Sequence, residues 1–290
     1  MNQINNIKNS VKGKVIIAGA GPGDPGLVTV KVAEYLQQAD VVLTDRLVSE
    51  EILNRYVRPD AEIIHVGKQC RRGVSTPQKT INELIVYHAL SGKFVVRLKG
   101  GDVSVFSNIL DELEVLVANN ISYEIIPGVT AALGAAAYAG IPLTARDHST
   151  AVRFLTYYKS DIVNDEYWKE LANTNDTLVF YMSSETLNTV VAKLLDNKIL
   201  PDKLMAIIEQ ATTPFQKVHI TDLYSYEGKF KEQTFLSPSI VIIGKVVAFH
   251  NQFAWLKNSN SNEYFFKPII SPLITISGDS EKSNKHVTRA

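Results

Sequence analysis

The chain has 290 residues, enough for two modest domains or one large one. Hydrophobic residues make up 45% and charged residues 21%, ordinary values for a soluble globular protein. The 30 basic and 30 acidic side chains cancel, which argues against a chain-wide footprint for nucleic acid or membrane and leaves any anionic ligand to a local cluster of Arg and Lys.

Residues 1–12 are polar and lack the apolar stretch of a secretory signal, so they read as a flexible arm. A strand over 15–18 runs into a glycine-rich turn, and a helix over 29–38 places Val30, Ala33 and Leu36 near one face. Strands follow over 41–43 and 63–66. The next helix has Thr76 as N-cap and Pro77 at its first position, then Ile81, Leu84, Ile85 and His88 along one side, and ends at Ser91-Gly92. Strands over 94–98 and 123–126 complete the first half. The second half restarts with strands over 153–157, 177–182, 205–209, 216–220 and 240–244, and the short turn at Pro214 predicts a hairpin.

This pattern gives the fold class: α/β, with a mostly parallel N-terminal sheet and a mixed C-terminal sheet. The borders expected are 1–12 for the arm, 13–135 and 136–252 for the two domains, and 253–290 for a partly disordered, dispensable tail. No run of about 18 apolar residues occurs, and the single cysteine, Cys70, rules out an intrachain disulfide. Both fit a cytoplasmic protein. The six histidines have no metal-ligand spacing, so no metal is expected.

The distinctive residues fall at strand carboxyl ends, where open parallel sheets collect ligands. They are the glycine turn after the first strand, Asp45 after the second, Gly67-Lys68 after the third and 99–102 after the fourth. Gly21-Pro22-Gly23-Asp24-Pro25-Gly26 satisfies G-x-G-x-x-G, formally a dinucleotide fingerprint. Pro22 and Pro25 remove two N–H groups that a pyrophosphate would need, and Asp24 puts a carboxylate where it would sit. That weighs against a nicotinamide cofactor and leaves a rigid turn or a different ligand.

The stretch Gly19-Ala-Gly-Pro-Gly-Asp-Pro25 resembles the opening of the tetrapyrrole methylase superfamily. Asp45-Arg-Leu-Val-Ser49, Val66-Gly-Lys68, Pro77-Gln78 with Ile81-Asn82, and Arg97-Leu-Lys-Gly-Gly-Asp102 are similar to it too, in the family's order. So are Pro127-Gly-Val-Thr-Ala131, Ala137-Tyr-Ala-Gly-Ile-Pro-Leu-Thr144, Phe180-Tyr-Met182 and Thr212-Thr-Pro214 with Gln216. Residues 45–49 are most like the members that methylate uroporphyrinogen III. The resemblance implies a site in the cleft between two α/β domains. It implies that Pro22, Gly100, Gly101, Asp102, Val105, Thr130, Ala131, Met182 and Ala211 line an S-adenosylmethionine site, with Asp45 as proton acceptor and Lys68 as proton donor. It also implies a homodimer and, as substrate, uroporphyrinogen III, a polycarboxylate methylated at two ring positions.

Such a substrate asks for local positive charge. Arg46, Lys68, Arg71 and Arg72 cluster after the second and third strands, and Arg146 and Arg153 flank the domain border. Arg46, Arg71 and Arg72 are the candidate substrate anchors, with solvated surface charge as the alternative. Asp45 has a plainer alternative as a helix cap, 100–102 as a tight turn, and Met182 as a core residue. One segment departs from the family: after Asp102 the chain reads Val103-Ser-Val-Phe-Ser-Asn-Ile-Leu-Asp-Glu112, without the family's Pro, Arg and glycines. It reads as a rebuilt helix start, with Asn108 as cap and Asp111 in a capping-box position.

Overall fold

The computed structural model describes residues 13–67, 76–157 and 164–266. The first half runs β1 (Lys14–Gly19), α1 (Val30–Leu36), β2 (Val41–Thr44), α2 (Glu50–Tyr56), β3 (Glu62–His65), α3 (Gln78–Leu90), β4 (Val95–Lys99), α4 (Ile109–Ala118) and β5 (Ser122–Ile126). The second half runs α5 (Ala131–Tyr138), β6 (Val152–Thr156), α6 (Asp165–Asn173), β7 (Thr177–Tyr181), α7 (Leu187–Asp196), β8 (Leu204–Glu209), β9 (Lys217–Asp222), α8 (Tyr226–Phe230), β10 (Ser239–Gly244) and α9 (His250–Phe253).

Among the described residues the strands form two five-stranded sheets, ordered β3-β2-β4-β1-β5 and β6-β7-β10-β8-β9. Every pairing in the first is parallel. Its central strands are nearly continuous apolar runs because both faces are covered. Val15 and Ile17 pack with Ile81, Ile85 and Leu116 on one face, and Ile16 and Ala18 with Val32, Leu36 and Ile52 on the other. Parallel strands put all their carboxyl ends on one edge, which therefore gathers the loops after β1, β2, β4 and β5.

The second sheet is mixed, as expected. β6 is parallel to β7, β10 is antiparallel to β7 and β8, and β8 and β9 form the hairpin. One face buries Trp168, Leu171, Phe180, Val190 and Leu194. The other buries Ala132, Ala135, Ala136 and Ala139 against Val179, Ala206 and Ile240. A border at 135/136 would thus cut α5, whose buried alanines all belong to the second core. Small side chains let this helix lie close on the sheet.

Helix starts match the sequence unevenly. Thr29 caps α1 by accepting from the Val32 N–H at 3.4 Å. α3 begins one residue later than expected: Pro77 occupies the cap and the buried Thr76 hydroxyl has no partner among the described residues. α4 begins at Ile109, but Asn108 forms no side-chain cap bond, because its backbone is left-handed with φ 50°. The chain after Phe253 is no loose tail over its first stretch. Residues 254–266 lie on the second half, ending at Phe266, which is 3% exposed.

Candidate active site at the carboxyl edge of the first sheet

The glycine turn is held from both halves of the molecule. Gly21 and Gly101 exchange backbone hydrogen bonds of 3.1 and 2.8 Å, which ties the loop after β1 to the loop after β4. The Asp24 carboxylate accepts from the Gly26 N–H at 2.6 Å and from the Tyr138 hydroxyl at 2.5 Å. Burial and the adjacent Asp24 carboxylate push the Tyr138 phenol up to about 12. The Asp24 N–H donates to Thr212 Oγ1 at 3.2 Å, so the turn also grips the loop after β8. A turn whose carboxylate and amides are engaged this way offers no phosphate cradle.

At Gly134 of α5, a Cβ would stand 2.5 Å from Pro22 Cγ and 3.0 Å from Thr212 Cγ2. Glycine there lets the turn, the helix and the loop after β8 meet at one point. Gly101 is the opposite case. Its φ is +71°, and a Cβ would meet nothing nearer than the Ala131 nitrogen at 3.7 Å. A side chain would thus fit in ordinary contact with the start of α5, and it is the positive φ that favours glycine here.

Asp102 lashes two loops together. Oδ1 accepts from the N–H and hydroxyl of Ser104 at 2.8 and 2.5 Å, and Oδ2 from the Gly128 N–H at 2.9 Å. Burial raises its pKa, but these hydrogen bonds outweigh burial and hold the carboxyl below the ordinary carboxylate range. The Thr130 hydroxyl is 2.6 Å from the Tyr181 hydroxyl, which also accepts from the Ala132 N–H at 3.0 Å. Tyr181 thereby binds the start of α5 to β7, and its burial pushes the phenol up. Val105 packs beside Ala131 on the second core. Ala211 is buried, and Met182 follows Tyr181 with a left-handed backbone, exposed rather than in the core.

Asp45 sits just past β2 at the same edge. It is not a helix cap; Ser49 fills that role for α2, accepting from the Ile52 N–H at 3.3 Å. The Asp45 side chain is 28% exposed, and its Oδ1 accepts from Arg97 Nη2 at 2.5 Å. Arg97 is buried in β4 and also donates to Glu112 Oε1 at 2.9 Å and to the carbonyls of Leu43 and Leu98 at 3.3 and 3.2 Å. Lys99, two residues on and on the same face, donates to both Glu112 oxygens at 3.2 Å. Burial opposes charge on Arg97, but Asp45 and Glu112 raise its pKa, whereas burial and then Arg97 lower that of Lys99. The result is a fixed, partly open carboxylate backed by a buried cation pair and its counter-ion.

The structure therefore gathers Pro22, Gly101, Val105, Thr130 and Ala131 around the start of α5, with Ala211 preceding the Thr212 contact. Arg46, half-buried, follows Asp45. Lys68, Arg71 and Arg72 lie outside the described residues; on either side, the Thr76 N–H donates to the Gly67 carbonyl at 3.1 Å. Arg153, partly exposed, pairs with Glu170 and Asp176 at 2.6 and 2.5 Å. Sequence reasoning missed the Arg97–Glu112–Lys99 group. Its signal was two basic residues at i and i+2 inside an otherwise apolar strand, together with an acid within the apolar stripe of α4. Among the described residues no His, Cys, Asp and Glu group could hold a metal, and no helix is long and apolar enough to cross a membrane.

Comparison with known proteins agrees with this geometry. A protein named siroheme synthase from Vesicomyosocius okutanii subsp. Calyptogena okutanii is 42% identical over 253 residues, covering 87% of this chain and 54% of that one. Another of that name from Acinetobacter baylyi is 44% identical over 245 residues, covering 84% and 53%. The chain thus spans about half the length of the curated relatives it matches. Among solved structures, a uroporphyrin-III C-methyl transferase from Thermus thermophilus, complexed with S-adenyl homocysteine, superposes with a TM-score of 0.67 at 32% identity, over 81% of this chain and 93% of that one. A cobalt precorrin-4 methyltransferase superposes with a TM-score of 0.71 at 28% identity, over 81% and 95%. The family model for tetrapyrrole (corrin/porphyrin) methylases matches residues 14–227, from β1 through β9, and the chain belongs to that family.

Proposed function

We propose that the chain is an S-adenosylmethionine-dependent C-methyltransferase that methylates uroporphyrinogen III at two ring positions, giving precorrin-2 for sirohaem or cobalamin. The observation that carries this reading is a fixed, partly exposed carboxylate, Asp45, on the sheet edge where the loops after β1 and β4 are bridged through Gly21 and Gly101. Support comes from the Thermus enzyme, which is named a uroporphyrin-III C-methyl transferase and is matched over 93% of its length.

When bound, S-adenosylmethionine supplies an electrophilic methyl group. Pro22, Gly100, Gly101, Asp102, Val105, Thr130, Ala131, Met182 and Ala211 would hold it. Gly101, with φ +71° and no side chain, would let the cofactor approach the backbone of the loop after β4. Asp45 accepts the proton that the cationic ring left by methyl transfer must lose, which a positioned carboxylate does efficiently. Arg97 keeps that carboxylate in place, Lys68 serves as proton donor, and Arg46, Arg71 and Arg72 take the substrate carboxylates. The protein acts in the cytoplasm as a homodimer and needs no metal.

Incubation with uroporphyrinogen III and labelled S-adenosylmethionine tests the assignment through product mass. The expected product carries two added methyl groups. Methylation of a later precorrin, with uroporphyrinogen III left unchanged, would move the assignment to the activity named for the structure with the TM-score of 0.71.

A further inference from the structure

Residues 254–266 follow α9, well past the end of the family match at residue 227. Their contacts trace a continuous path. Trp255 Nε1 donates to the Ala137 carbonyl at 2.9 Å, and its ring lies 5.1 Å from that of Tyr138. Asn258 pairs both ways with the backbone of Val218 in β9, at 2.7 and 3.0 Å. The Ser259 N–H donates to the Gln216 carbonyl at 2.9 Å.

The path then reaches the two loops that face each other across the site. Gln210 is fully buried with a left-handed backbone, φ 47°. Its Nε2 donates to the Glu263 carbonyl at 3.0 Å, and its Oε1 accepts from the Phe265 N–H at 2.7 Å. A buried primary amide satisfied by one strip of backbone fixes that strip in register. Phe266 closes the path: its Cζ lies 3.3 Å from where a Cβ on Gly23 would stand, beside Thr212 Oγ1 and Thr213 Cγ2. The segment thus touches the loop carrying Ala211 through Gln210 and the turn carrying Pro22 through Phe266. Within the same loop, the Thr212 N–H donates to Gln216 Oε1 at 2.8 Å, and Gln216 Nε2 to the Tyr138 carbonyl at 3.2 Å.

We infer that residues 258–266 form a strap that sets the spacing of the two loops around the S-adenosylmethionine site, with Gln210 and Phe266 as positioning residues. The inference rests on the cofactor assignment made under the proposed function. Neither side chain need touch the cofactor. Phe266 fills the gap under the glycine turn, and Gln210 anchors the strap so that the phenyl ring stays there. Without the ring, Gly23 and Thr213 lose their shared apolar backing, and the turn gains freedom that binding must remove.

The test uses the full chain, unaltered and as Phe266→Ala and Phe266→Leu. Affinity for S-adenosylhomocysteine is read by titration calorimetry well below the melting temperature, and amide hydrogen exchange is read in parallel. Phe266→Ala should weaken binding at least roughly tenfold, about 1.4 kcal/mol. It should also quicken exchange at Gly23, Asp24, Thr212 and Thr213 while leaving Val15, Ile16 and Ile17 of the first core unchanged. Phe266→Leu, which refills most of the gap, should restore most of the affinity. Equal affinity in the unaltered chain and Phe266→Ala overturns the strap, and so does exchange that rises uniformly over the whole protein. If the unaltered chain fails to bind S-adenosylhomocysteine at all, the assigned cofactor is wrong and the inference falls with it.

Discussion

Asp45 and Glu112 are both carboxylates paired with Arg97, yet the structure gives them opposite tasks. Asp45 is 28% exposed at the sheet edge and Glu112 is fully buried, so the first can meet a ligand and the second cannot. Asp45→Ala should lower kcat by about 10²- to 10⁴-fold, the usual worth of a positioned acid or base, while affinity for S-adenosylhomocysteine stays nearly constant. Unimpaired turnover in that variant would remove Asp45 from the chemistry. Glu112→Gln leaves the buried Lys99 without its carboxylate and Arg97 with Asp45 alone, and should cost about 3–5 kcal/mol in urea unfolding. Asp102 adds a pH dependence. Its pKa is lower folded than unfolded, so its contribution is fully present above the unfolded value near pH 4 and is lost as pH falls through the folded value. Asp102→Asn should therefore flatten the acid limb of stability against pH, followed by urea midpoints. Asp45 itself was legible from its place after β2, but its anchor was not: Arg97 reaches it only through strand pairing, and Glu112 reaches Arg97 only through the packing of α4. Nothing in their spacing along the chain announces that.

Elements were legible where local chemistry decides them. The Thr29 cap, the apolar runs of β1, β2 and β4 and the hairpin at Pro214 follow from residue type and period. Asn108 was misread because a good capping residue was assumed to have a capping backbone. The turn from Phe106 to Asn108 instead uses left-handed conformations at both ends, with φ 51° and 50°. α5 was placed across a domain border because its alanines and glycine show no clear amphipathic stripe, and only contact shows which sheet they serve. That same composition gives a prediction that runs against helix propensity. In an open helix Gly→Ala stabilises by about 1 kcal/mol. At Gly134 the new methyl would press on Pro22 Cγ at 2.5 Å, so Gly134→Ala should instead destabilise by about 1–3 kcal/mol and weaken S-adenosylhomocysteine binding. Thermal unfolding and calorimetry on the one variant read both effects.

At the scale of the whole molecule, the proposed cofactor residues come from loops of two separately cored sheets, so a ligand bound there should stabilise the chain as a unit. S-adenosylhomocysteine at about 100 times its Kd should add about 2.7 kcal/mol of stability, and NAD at the same concentration none. Differential scanning fluorimetry with both compounds checks this, and a shift with NAD alone would restore the dinucleotide reading of the glycine turn. The strand order of the second sheet has a further consequence, for synthesis. β10, the last strand among the described residues, lies in the middle of that sheet, between β7 and β8. The first sheet can close on the ribosome once Ile126 has emerged, whereas the second cannot until Gly244 has. In the interval the inner edges of β7 and β8 stand unpaired, two apolar runs ready to join other chains. Nascent chains halted before Ser239 should accordingly depend on chaperones, and a few residues more should release them.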